Sequence, residues 1–134
     1  MSLDTCDEIW NRAIEMAHNN FTPRLGDSAL RDVLMFDGSV NNGGLLNAVE
    51  TYSEDTDFPI ARIIASYRAL GLIQVAELIT TALTLWIEAT ESDSSQALED
   101  LELALDPQYV LGTEEIEQRL RDLHKVSPEL FAAI

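Results

Sequence analysis

The sequence predicts an all-α protein: a single compact domain, residues 1–134, of about seven to eight short helices. Three observations carry that expectation. Apolar residues recur at three- and four-residue spacing along almost the whole chain. No segment alternates with period two for long enough to form a strand, and proline, glycine or polar clusters punctuate the chain at short intervals. Of the 134 residues, 46% are apolar and 24% charged, the proportions of a globular chain long enough to bury one core. There is no internal repeat.

The elements follow in order. Cys6, Ile9, Trp10, Ala13, Ile14, Ala17 and Phe21 line one face of a first helix. Pro23 and Gly26 break the chain, and a second helix is expected from about Ser28, with Leu30, Val33 and Leu34 inward and Val40 near its end. Asn41-Asn42-Gly43-Gly44 reads as a sharp joint, because asparagine tolerates the left-handed conformation and glycine lets backbones approach closely. Leu45, Val49 and Tyr52 begin a short third helix. Ser53 to Asp57 is a polar break, and Pro59 suits the first turn of a fourth helix with Ile60, Ile63, Ile64 and Tyr67 as its stripe. Gly71 supplies a left-handed cap.

Leu72, Val75, Ala76, Ile79, Leu83, Trp86 and Ile87 then give the clearest helical stripe in the chain. Glu91-Ser92-Asp93-Ser94-Ser95 is a loop rich in N-cap residues. Leu98, Leu101 and Leu105 mark a sixth helix, stopped at Asp106-Pro107. Thr113 caps a seventh, with Glu114 and Glu115 in its first turn and Arg121 and Lys125 towards its end, complementing the helix dipole. Ser127-Pro128-Glu129 opens a final short helix through Phe131.

Catalytic chemistry is thinly represented. His18 and His124 are far apart in sequence, and neither has a ligand partner at the spacing that places two metal ligands on one helix face. Both read as surface residues near helix C-termini. Cys6 lies on an apolar face with no evident base, so it reads as packing rather than as a nucleophile, and a single cysteine excludes an intramolecular disulfide. Asp37-Gly38-Ser39-Val40-Asn41-Asn42-Gly43 starts like a calcium loop but fails it, with Asn42 where glycine is required and Ala48 where the bidentate glutamate belongs. No phosphate loop, dinucleotide fingerprint or nucleophile elbow occurs. The expectation is a protein without catalytic residues, metal or cofactor. With no signal-like start and no run long enough to span a bilayer, it is expected to be soluble and cytoplasmic. Met1-Ser2-Leu3 carries no functional weight in this reading.

The charge balance is the unusual quantity. Twenty-four acids oppose eight bases, for a formal net charge of -16. Such a surface repels nucleic acid and anionic lipid, leaving cationic partners. From Ala69 to Gln118 there are eleven acids (Glu77, Glu88, Glu91, Asp93, Glu99, Asp100, Glu102, Asp106, Glu114, Glu115 and Glu117) and no lysine or arginine. Solvated helix faces usually mix both signs, because like charges three or four residues apart repel. The stretch from Glu88 onward therefore reads as a surface that offers carboxylates to a basic protein. An acid-rich, salt-adapted proteome is the even competitor, and Lys125 as the sole lysine favours it.

The Asn41-Asn42-Gly43-Gly44-Leu45-Leu46 joint is followed by Tyr67-Arg68-Ala69-Leu70-Gly71 and Ala76-Glu77-Leu78-Ile79, then by Leu101-Glu102-Leu103-Ala104-Leu105-Asp106 and Ser127-Pro128-Glu129-Leu130-Phe131. In that order the segments resemble the DNA mimic protein 19-like family of bacterial helical domains, from about Leu30 onward. The chain departs from the family pattern after the glycines, where Leu45-Leu46-Asn47-Ala48 replaces an aromatic run, and near Asp106, where only Tyr109 is aromatic. The resemblance implies a non-enzymatic protein that occupies the basic nucleic-acid-binding surface of a partner. An immunity protein against a basic toxin is a close variant. A structural domain without a charge-based partner, and a carboxylate-clustered metal or hydrolytic site, are the alternatives. A homodimer is compatible with each.

Overall fold

Capping chemistry sets where the helices begin and end. In the computed structural model, which describes residues 4–16 and 20–134, α1 (Thr5–Ile14) starts where the Asp7 N–H donates to Asp4 Oδ1 at 2.8 Å. It ends at Ile14, well short of the expected run to Phe21; Ala17 and His18 fall outside the described residues. α2 (Leu25–Gly43) begins three residues before the expected start, and Gly26 sits inside its first turn rather than breaking the chain. A Cβ there would lie 2.7 Å from the Phe131 ring and 2.8 Å from the Leu130 carbonyl, so Gly26 serves the close approach of the C-terminal segment.

α2 runs through Gly43, Gly44 turns the chain, and α3 (Leu45–Ser53) departs from it. The expected joint is therefore at Asn41-Asn42-Gly43-Gly44, with the helix ladder continuing through its first three residues. α4 (Ile60–Ala69) follows Pro59. It closes in a Schellman motif, the Gly71 N–H donating to Arg68 O and the Leu72 N–H to Tyr67 O, both at 2.9 Å. α5 (Ile73–Glu91) is followed by α6 (Ser95–Leu105), whose Ser94 Oγ accepts from the Ala97 N–H at 3.1 Å. Asp106–Gln108 forms a 3-10 turn, and α7 (Thr113–Val126) starts one residue earlier than a Thr113 cap implies, with Gly112 at the cap. The last turn, Pro128–Leu130, is 3-10 rather than α-helical.

These seven α-helices, with no strand among the described residues, share one hydrophobic core. α2 packs on α3 and α4, α5 packs on both of those, α1 lies against α2, and α6 lies against α5 and α3. Leu30, Val33 and Phe36 of α2 meet Leu45 and Val49 of α3, Ile63 and Tyr67 of α4 and Ile79 of α5, with Ile116 and Leu120 of α7 also inside. Phe36 packs edge-on to Tyr67 with ring centroids 5.9 Å apart. The stripe read along α5 holds for Val75, Ala76, Ile79, Leu83 and Trp86, whereas Ile87 is exposed. Cys6 is buried, as its apolar face implies, and burial pushes its thiol up from the ordinary value. His124 sits in the last turn of α7 with its ring 5.8 Å from that of Phe131.

Candidate acidic binding surface

Three acids leave the surface count because the fold buries them. Asp27 Oδ1 accepts from Arg12 Nη2 at 2.8 Å, while its Oδ2 accepts the Arg24 N–H at 2.9 Å and the Ala132 N–H at 2.8 Å, tying α1 and the C-terminal segment to the start of α2. Asp32 is clamped by Arg62, Nε to Oδ2 at 3.0 Å and Nη2 to Oδ1 at 3.2 Å, and by Ser66 Oγ at 2.8 Å. Arg31 also reaches it at 3.4 Å. These ion pairs join α2 to α1 and α4 and consume Arg12, Arg31 and Arg62.

Among the described residues, no cation pairs with Asp37. Its Oδ1 accepts the Tyr109 hydroxyl at 2.8 Å and its Oδ2 accepts Asn41 Nδ2 at 3.1 Å, while Tyr67 Oη lies 2.8 Å from Tyr109 Oη. Tyr109 donates to the carboxylate, so Tyr67 donates to Tyr109 in the same chain. Burial pushes the Asp37 carboxyl above its ordinary range, against the lowering effect of these two donors. Burial likewise pushes both tyrosines up, well out of the physiological range. A raised folded-state pKa means the folded protein holds the proton more tightly than the unfolded chain, so stability drawn from Asp37 is lost as pH rises through that pKa. Asp37→Asn is therefore expected to gain stability relative to the parent as pH increases and to match it in acid below both pKa values. Thermal melts of the two proteins from about pH 3 to about pH 8 check this; a constant difference would refute it.

The ten acids that the sequence marks as a partner surface separate into distinct settings. Glu88, Glu91, Asp93, Glu99, Asp100 and Glu102 are exposed on α5, α6 and the loop between them, with no lysine or arginine on those elements. Asp106 serves the fold: its Oδ1 accepts the Leu46 N–H at 2.9 Å and caps the start of α3 beside Gly44. Glu114, Glu115 and Glu117 lie on a different element, the first turns of α7. Glu115 lies 3.9 Å from Arg119, and Glu117 shares Arg121 with Asp4 and Asp7, at 3.1, 2.9 and 3.0 Å. The backbone N–H of Asp7, and then Arg121, hold the Asp4 carboxyl below its ordinary value.

Two residues outside the marked set belong with the α5–α6 acids. A cleft of about 580 Å³ between α3, α5 and α6 is lined by Glu50 and Trp86 together with Leu46, Leu98, Glu99 and Glu102. Trp86 reads in sequence as a core residue, and Glu50 falls before the base-free stretch. Only the packing of α3 on α5 and α6 brings them beside Glu99 and Glu102.

Among the described residues, no group of three or more His, Cys, Asp or Glu is arranged to hold a metal ion. No helix among them is long and apolar enough to cross a membrane. The fold and charge distribution define a class: a small all-α domain in which Arg12, Arg31 and Arg62 pair with buried acids while one pair of helices presents acids and no base. The chain belongs to the DMP19-like protein family, which it matches over residues 26–133. No curated protein and no solved structure matches it.

Proposed function

We propose that this protein is a non-enzymatic acidic binding protein of the DNA-mimic type, whose α5–α6 surface occupies the basic nucleic-acid-binding face of a partner protein. The observation that carries this reading is the segregation of charge. Arg12, Arg31 and Arg62 pair with the buried Asp27 and Asp32, and Arg121 pairs with acids of α1 and α7. Glu88, Glu91, Asp93, Glu99, Asp100 and Glu102 are left facing solvent without a base on their own elements. Their field steers a cationic partner at long range, and salt screens it. Membership of the DMP19-like family points the same way.

The test neutralises the face while keeping its shape. A protein with Glu88→Gln, Glu91→Gln, Asp93→Asn, Glu99→Gln, Asp100→Asn and Glu102→Gln is expected to lose on the order of a hundredfold in affinity for a basic DNA-binding partner, taking roughly half a kcal/mol for each exposed charge pair. Binding of the parent should weaken steeply with salt and be displaced by duplex DNA. Capture that is indifferent to salt and to these substitutions would refute the proposal. An immunity protein for a basic toxin uses the same contact chemistry and differs only in the partner recovered. Exposed acids elsewhere, such as Glu54 and Asp57 between α3 and α4 and Glu114 on α7, favour a second reading as a salt-adapted structural domain. That reading requires stability that climbs with salt and no basic partner at low salt.

A further inference from the structure

The cleft between α3, α5 and α6 combines two kinds of surface that the rest of the acidic face does not. Leu46, Trp86 and Leu98 give it an apolar lining, Glu50, Glu99 and Glu102 stand around it, and no base lines it. Leu46 is buried and fixed by the Asp106 cap, whereas Trp86 and Leu98 are half-buried. Trp86 packs against the core, whereas Leu98 lines the cleft without belonging to that cluster. An apolar side chain entering there leaves water, and flanking lysine or arginine side chains meet the carboxylates. We infer that this cleft is the anchor point of the acidic surface and that it takes a basic amphipathic helix of the partner, one apolar side chain seated against Trp86 and Leu98 with its neighbouring cations on Glu50, Glu99 and Glu102. This rests on the reading of the protein as an acidic binding protein and makes it more specific. Phosphate-like charge alone fits a smooth cationic face, while this cleft selects for a basic segment with an apolar ridge.

The experiment uses the full chain carrying Trp10→Phe, which leaves Trp86 as the sole tryptophan reporter. Two synthetic probes are titrated: a lysine-rich helical peptide with a leucine stripe at i, i+4 spacing, and the same peptide with the leucines replaced by serine. The leucine peptide is expected to shift Trp86 emission and to bind about tenfold more tightly than the serine peptide. That gap should persist between about 0.15 M and about 1 M salt, while both affinities fall. Leu98→Gln should close the gap without changing net charge, and Glu50→Gln with Glu99→Gln and Glu102→Gln should weaken both peptides. Thr90→Arg, at an exposed rim position, is the second probe, and it should weaken the leucine peptide even if Leu98→Gln fails to fold. Equal binding of the two peptides, unmoved by Leu98→Gln, overturns the cleft inference and leaves the acidic-surface reading standing. Binding of neither peptide overturns both. A dimer of the free protein that Leu98→Gln dissolves assigns the cleft to a second copy and overturns the inference.

Discussion

Gly44→Ala is expected to cost about 3–4 kcal/mol and to lower the melting temperature by roughly 10 °C. Gly44 holds φ 91° and ψ 162° at the joint between α2 and α3, a backbone region that side chains do not tolerate. A Cβ there would also run into the Asp106 carboxylate. That carboxylate caps α3 through the Leu46 N–H, so a shift that relieves the clash gives up the cap. The two effects separate in a double-mutant cycle. Asp106→Ala alone should cost about 1 kcal/mol, the value of a lost cap. Combined with Gly44→Ala, it should cost clearly less than the sum, because the carboxylate is already gone. Strict additivity in urea melts would show that backbone conformation alone excludes a side chain at Gly44.

The second large effect is at Asp32. Arg62→Met keeps the apolar stem and removes two of the donors on a carboxylate that is 1% exposed. Removing one partner of a buried pair costs several kcal/mol because the other charge is left uncompensated. Here Ser66 and Arg31 remain, and Arg62 is itself 41% exposed, so about 2–3 kcal/mol is expected. Arg62→Lys, which keeps the charge without the two-pronged geometry, should fall between parent and Met. Adding Asp32→Asn to Arg62→Met should recover part of the loss. If Arg62→Met melts with the parent, Ser66 and Arg31 satisfy the carboxylate between them and the clamp is redundant.

The first effect bears on the proposed function, since Gly44 and Asp106 fix the start of α3 and so place Glu50 and Leu46 at the cleft. Substitutions at Gly44 should therefore weaken binding of the leucine-striped peptide as well as stability.

The sequence by itself determined the helices, their order and most of their ends. The apolar spacing of α4 and α5, the Asn-Gly-Gly joint, the Gly71 cap and the Ser94 cap are all local, decided by side chains within about four residues of the backbone groups they serve. The concentration of acids after Glu88 is equally a property of the linear chain. Where local signals misled, a distant contact was the cause: Gly26 reads as a break but makes room for Phe131. Only the tertiary structure decided which acids are charge on the surface and which are mortar. Nothing local in the sequence marks Asp27, Asp32 and Asp37 for burial; their partners Arg12, Arg62 and Tyr109 come from 15, 30 and 72 residues away. Asp106 looks like part of the acidic face until it meets Leu46, 60 residues back in the chain. Burial turns a carboxylate from a freely hydrated charge into one that must find donors, and which donors reach it is fixed by how the helices pack. For the same reason the cleft was hidden from the sequence: Glu50, Trp86 and Glu99 belong to three helices and become one surface only when those helices meet.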